Sequence, residues 1–102
     1  MTFRVRFTRE AEDDLIRLYE FLLEREDGDW SIAERALEAI KHAIDTLSHS
    51  PFTCRKAMPA NSFLRELVIA CGATGYVALF EIDDAKTVTV LAVRHQREDD
   101  YH

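Results

Sequence analysis

The sequence predicts an α+β fold of order β-α-α-β-β-β, an antiparallel sheet covered on one face by an N-terminal helical hairpin. Three observations predict it. A short period-two stretch opens the chain, two stretches of helical period follow, and three apolar runs separated by tight turns close it. Helical and strand segments are segregated rather than alternating, which selects α+β over a parallel α/β sheet. The 102 residues suit one domain, taken as residues 1–102, and are too few for two.

Each element has a local cause. Phe3, Val5 and Phe7 alternate with Thr2, Arg4 and Arg6, the pattern of a strand with one buried face. Thr8 then offers a hydroxyl as helix N-cap, and Glu10 and Glu12 suit the positive end of the helix dipole. Ala11, Leu15, Leu18, Tyr19 and Leu22 form one stripe, so a helix is expected over residues 9–26. Asp27-Gly28-Asp29 interrupts it. Ser31 with Glu34 reads as a capping box, and Ala33, Leu37, Ile40, Ile44 and Leu47 carry a second helix over 31–48. The short link makes the pair an antiparallel hairpin. Residues 49–63 contain Pro51 and Pro59 and no clear period, and read as a long loop of the kind that carries function. Leu64–Ala70, Tyr76–Ile82 and Thr87–Val93 are the three strands of a meander, joined by turns at residues 71–75 and 83–86. The hairpin should cover one sheet face, leaving the other partly open beside the loop and the tail.

Composition narrows the function classes. Thirteen basic against nineteen acidic residues give −6, without the overall basic field typical of a nucleic-acid binder. Cys54 and Cys71 match no zinc or redox spacing and read as reduced thiols. His42, His49, His95 and His102 lack companion ligands, so no metal and no cofactor is expected. There is no phosphate loop, dinucleotide fingerprint or nucleophile elbow. Residues 1–7 have no apolar signal region, and no stretch approaches the ~20 apolar residues of a membrane span. The expected localisation is cytoplasmic, without membrane contact.

Two groups of residues could carry chemistry. The first is the tail, where Arg94, His95, Arg97 and Tyr101 follow an apolar strand. Arginine grips phosphates, histidine moves protons near neutral pH, and tyrosine stacks or donates a hydrogen bond. The second is Arg55-Lys56 in the loop with Arg65 at the start of the next strand: together they could form a local anion site in an acidic chain, or Arg65 could pair with Glu66 or another acid. Residue types alone leave these alternatives open, and a strand ending in a charged, solvated tail accounts equally for the first group. The acid pairs Asp13-Asp14, Asp83-Asp84 and Asp99-Asp100 read as solvated surface carboxylates.

With the element order in place, several segments resemble the RelE/ParE superfamily of type II toxins, the plasmid stabilisation proteins. They are Phe7-Thr8-Arg9-Glu10-Ala11-Glu12-Asp13-Asp14-Leu15, Ser50-Pro51, Phe63-Leu64-Arg65-Glu66-Leu67, and Val88 to His95 followed by Arg97-Glu98-Asp99-Asp100-Tyr101. The resemblance spans nearly the whole chain, with the tail its most specific part, and it implies growth inhibition relieved by a cognate antitoxin. ParE-like members poison DNA gyrase; RelE-like members cut mRNA on the ribosome. One fold supports both. The nucleases place an arginine after the aromatic that starts the third of their strands; here Val77 follows Tyr76. Where they use lysines, this chain has Arg65 and Leu67, and His95 stands for a tail arginine, while Tyr101 matches their terminal tyrosine.

The resemblance therefore implies the ParE branch, a non-enzyme that binds gyrase, with Arg55, Lys56, Arg65, Arg94 and Arg97 as target- or anion-binding residues. The alternative is a ribosome-dependent endoribonuclease using Arg65, His95, Arg97 and Tyr101. A third reading is a non-toxic binding module on the same fold. In each case the antitoxin is the expected partner and the only route to DNA.

Overall fold

The chain forms β1 (Arg4–Phe7), α1 (Arg9–Arg25), α2 (Trp30–Asp45), β2 (Arg55–Met58), β3 (Asn61–Cys71), β4 (Thr74–Ile82) and β5 (Thr87–His95). The structure is a computed structural model and describes residues 2–25, 30–71 and 74–95. The sheet runs β1-β5-β4-β3-β2. β1 lies parallel to β5, and the other neighbours are antiparallel, so the sheet is mixed. A crossover through both helices and three strands separates β1 from β5, which permits the parallel pairing.

The helical hairpin packs on one sheet face as expected. Ala11, Leu18, Ala36, Ile40, Ile44 and Leu47 meet Ile69, Tyr76, Ala78, Phe80, Ile82, Val88, Val90 and Val93 in one core. Burying a side chain such as Ile40 or Phe80 contributes on the order of 1.5–3 kcal/mol. Thr8 caps α1: its Oγ1 accepts from the Ala11 N–H at 3.1 Å and donates to the Leu91 carbonyl at 3.2 Å. The cap thereby also fastens α1 to β5.

Three boundaries depart from the sequence reading. α2 starts at Trp30, so Ser31 lies in its first turn rather than at the cap, and 3-10 turns at Thr46–Ser48 and Pro51–Thr53 follow the helix. The expected loop 49–63 contains β2, which pairs with β3 through Arg55↔Glu66, Lys56↔Arg65 and Met58↔Asn61. β2 is polar because it is an edge strand; its backbone pairing, not an apolar alternation, makes it a strand. β3 accordingly begins at Asn61, three residues before Leu64, with the Asn61 side chain accepting from the Phe63 N–H at 3.0 Å.

One irregularity sets the orientation of the candidate residues. Phe80 pairs with Val90, but Leu79 pairs with Ala92, so Leu91 is an extra residue on β5. Such a bulge shifts the period-two phase of the strand. Val88 and Val90 face the helices before it; Val93 and His95 do so after it, opposite Ala78 and Tyr76.

Candidate functional site

At the α1–β5 junction, β1 ends at Phe7 and leaves the second half of β5 without a strand on that side. α1 takes its place. The Thr8 N–H bonds the Val90 carbonyl at 3.0 Å, and the Val93 N–H donates to Asp14 Oδ2 at 3.0 Å. Asp14 is 9% exposed, and Arg94 Nη1 forms an ion pair with its other oxygen. Arg17 Nη2 approaches the same carboxylate at 3.7 Å. An unpaired buried carboxylate would be costly, and these donors offset that cost. The reading of Asp14 as a solvated surface acid is therefore corrected: it lies on the apolar stripe with Ala11, Leu15 and Leu18 and closes an open sheet edge. That stripe position was the available signal. Arg94 is engaged in this junction.

The β2–β3 margin holds the loop cations. The Arg55 guanidinium donates to Glu66 Oε1 at 3.1 Å across the two strands. Arg65 donates from Nε to the Ser62 carbonyl at 2.7 Å and from Nη1 to the carbonyls of Phe52 and Cys54 at 3.0 and 2.8 Å. Its guanidinium carbon lies 5.4 Å from the centre of the Phe52 ring. Lys56 is exposed directly opposite Arg65. Burial pushes the Cys54 thiol above its ordinary value of 9.0, against the opposing pull of Arg65.

His95 packs edge-on against Tyr76, with ring centres 5.5 Å apart. It shares the helix-side face with Arg65, since His95 is opposite Tyr76 and Arg65 opposite Phe80. The two are nevertheless far apart. They are separated by two strands and four residues of β3 register, or about 16 Å between backbones at ~4.8 Å per strand and ~3.3 Å per residue. Arg94, opposite Val77, leaves the strand towards the other face, and its guanidinium turns round the β5 edge to Asp14 of α1. Arg97 and Tyr101 lie outside the described residues. Arg65, His95 and Arg94 thus do not converge on one point.

The face away from the helices carries Leu64, Glu66, Val68, Leu79 and Glu81 by register, with exposed Arg4 and Arg6 at its β1 edge. Val77, at the position after Tyr76, is 8% exposed. Between α1 and α2 opens an apolar groove of about 490 Å³, lined by Phe7, Leu15, Ile16, Tyr19 and Leu37, with Glu12 and Lys41 at its rim. Ile16 is 59% exposed there. The groove is not foreseen from periodicity: Ile16 lies beside the stripe of α1 rather than on it, and lines the groove with Tyr19 and Leu37. Among the described residues no cluster of His, Cys, Asp and Glu is placed to hold a metal, and no helix is long and apolar enough to cross a membrane.

The family model for the ParE toxin of the type II toxin–antitoxin system parDE matches residues 5–100. A solved structure of the chromosomal ParDE system from P. aeruginosa is similar, with TM-score 0.72, 18% identity and coverage of 92% of this chain and 96% of that one. The toxin–antitoxin complex RelBE2 from Mycobacterium tuberculosis is similar with TM-score 0.57 and 26% identity, covering 94% of this chain and 100% of that one. Among curated proteins none matches. The chain belongs to the ParE toxin family.

Proposed function

We propose that this ParE-family chain, the toxin component of a type II toxin–antitoxin system, inhibits DNA gyrase by binding it and is neutralised by a cognate antitoxin. The observation that carries the reading is that, among the described residues, Arg55, Arg65, Arg94 and His95 do not converge on one point. Arg94 is tied to Asp14, Arg55 to Glu66, and Arg65 to three backbone carbonyls about 16 Å from His95. Phosphodiester cleavage needs charged groups held together around one phosphate, and loss of one positioned donor typically costs about 10²–10³-fold in rate. A binder has no such requirement. The net charge of −6 also disfavours insertion among ribosomal RNA, where cations drive affinity.

The antitoxin reading is supported by the apolar groove between α1 and α2. Its apolar lining and its exposed Ile16 suit an amphipathic helix laid along it. In the related complexes from P. aeruginosa and M. tuberculosis a toxin is paired with an antitoxin. Contact with DNA would come through that partner.

The ribosome-dependent nuclease remains the second reading, favoured by the 26% identity to the RelBE2 structure and by His95. One assay separates the two. Purified protein, gyrase and plasmid should give lost supercoiling or gyrase-dependent linear DNA, without RNA cleavage. Cuts in mRNA only when ribosomes are present, abolished by His95→Ala, would reverse the assignment.

A further inference from the structure

α2 packs on β3 around Leu67 and Ile69, whereas among the described residues Phe52, Met58 and Phe63 at the β2–β3 margin stay about half exposed. Lys56 and Arg65 share one face there by direct pairing, and Met58 pairs with Asn61 beyond a register shift between Lys56 and Met58. Phe63 and Arg65 are brought together by Phe52, which both of them contact. Phe52, from the 3-10 turn at Pro51–Thr53, joins them. Its ring meets Phe63 edge-on with centres 6.3 Å apart at 72°. Phe52 is 51% exposed, Phe63 52% and Met58 53%. Three large apolar side chains therefore stand half in water on one ledge, beside two cations.

The charges there are arranged against the interest of the free protein. Like charges directly opposite on neighbouring strands destabilise a sheet, yet Lys56 faces Arg65. No ion pair joins either to a carboxylate among the described residues; Arg65 is held by carbonyls, which leave its charge uncancelled. The result is a small cationic and aromatic island on a chain of charge −6. Aromatic and arginine side chains are the residues that dominate binding energy at protein interfaces. The complementary surface is apolar at its centre and acidic at its rim.

We infer that the ledge formed by Phe52, Lys56, Met58, Phe63 and Arg65 docks an acidic, apolar surface of the toxin's protein target, and is separate from the antitoxin groove. The inference rests on the toxin reading. A nucleic-acid occupant fits less well. Arg65 has its Nε and Nη1 committed to carbonyls, so Lys56 is the one fully available cation of the ledge, whereas phosphate-driven binding draws on many cations. The Phe52 and Phe63 rings also meet edge to face, which does not present two parallel platforms to bases.

The test compares three variants of the full chain: Phe52→Ser with Phe63→Ser, Lys56→Glu, and Ile16→Glu in the groove. Growth inhibition on induced expression, affinity for the antitoxin from the neighbouring reading frame, and binding of a fluorescent single-stranded RNA oligonucleotide are measured. Thermal melting checks folding. The double Phe variant and Lys56→Glu should each weaken inhibition about tenfold or more, the effect of losing a hot spot, with antitoxin affinity intact. Ile16→Glu should do the reverse. Lys56→Glu keeps the apolar ledge and so remains informative if the double variant misfolds. Full toxicity in folded ledge variants overturns the inference alone. So does loss of antitoxin affinity with toxicity kept, or loss of RNA binding in parallel with toxicity. A wild-type chain that does not inhibit growth sinks the toxin reading itself, and the ledge's assigned target with it.

Discussion

Arg94 and Arg65 stand at opposite margins of one sheet, and both follow or interrupt an apolar strand in sequence. Their surroundings differ. Arg94 meets the carboxylate of Asp14, which also holds the Val93 N–H, so charge is cancelled and the side chain becomes part of the α1–β5 joint. Among the described residues Arg65 meets carbonyl oxygens and the Phe52 ring, which satisfy its donors without cancelling its charge. The first arrangement secures the fold. The second holds a cation rigidly and leaves it available to a partner. The same residue type is thus structural or presented outward according to the acceptor it finds.

The strongest way to break this comparison is at Asp14. Asp14→Ala removes the acceptor of Val93 and leaves Arg94 without its carboxylate. Breaking a buried pair costs about 3–5 kcal/mol, and the slight exposure of both groups brings the expectation to the low end, about 3 kcal/mol in urea unfolding. Joint replacement by Asp14→Leu and Arg94→Leu should recover much of that loss, because no charge is then left buried.

Thr8→Ala should cost about 1 kcal/mol by the same measurement, since Thr8 caps α1 and ties it to Leu91. At the other margin, Glu66→Ala should cost about 0.5 kcal/mol or less, the range of exposed ion pairs, and the cost should shrink further at high salt. An Asp14 variant as mild as Glu66→Ala would erase the distinction between the two margins.

The smallest expected effect concerns pH. The folded chain raises the Cys54 thiol above 9.0 and so binds its proton more tightly than the unfolded chain does. That contribution to stability is complete below the ordinary value and is lost as pH rises through the folded value. Stability of the parent chain should therefore fall slightly faster above pH 9 than that of Cys54→Ser, as read from paired unfolding curves.

Much of the fold is legible in the sequence. The alternation of Phe3, Val5 and Phe7, the stripes of both helices and the three closing runs are set by local periodicity, which depends only on backbone geometry. β2 was not legible, because an edge strand with one neighbour needs no apolar face. The site was legible only in part. The expected pairing of Arg65 with Glu66 is not what forms: Glu66 takes Arg55 across the strand pair, and Arg65 turns to backbone carbonyls. The ledge was not legible, since Phe52 and Phe63 meet only through the pairing of β2 with β3.

The class of the fold, its helical cover and its family follow from the order of amino acids alone. Tertiary structure decided where the cations point. Extended in period two from Val88 and Val90, β5 would turn Arg94 towards the helices and His95 away from them. The extra residue at Leu91 inverts this, placing His95 against Tyr76 and Arg94 on the opposite face. A bulge arises where two strands of unequal demand are aligned. It is a property of the pair, and no single stretch of sequence contains it.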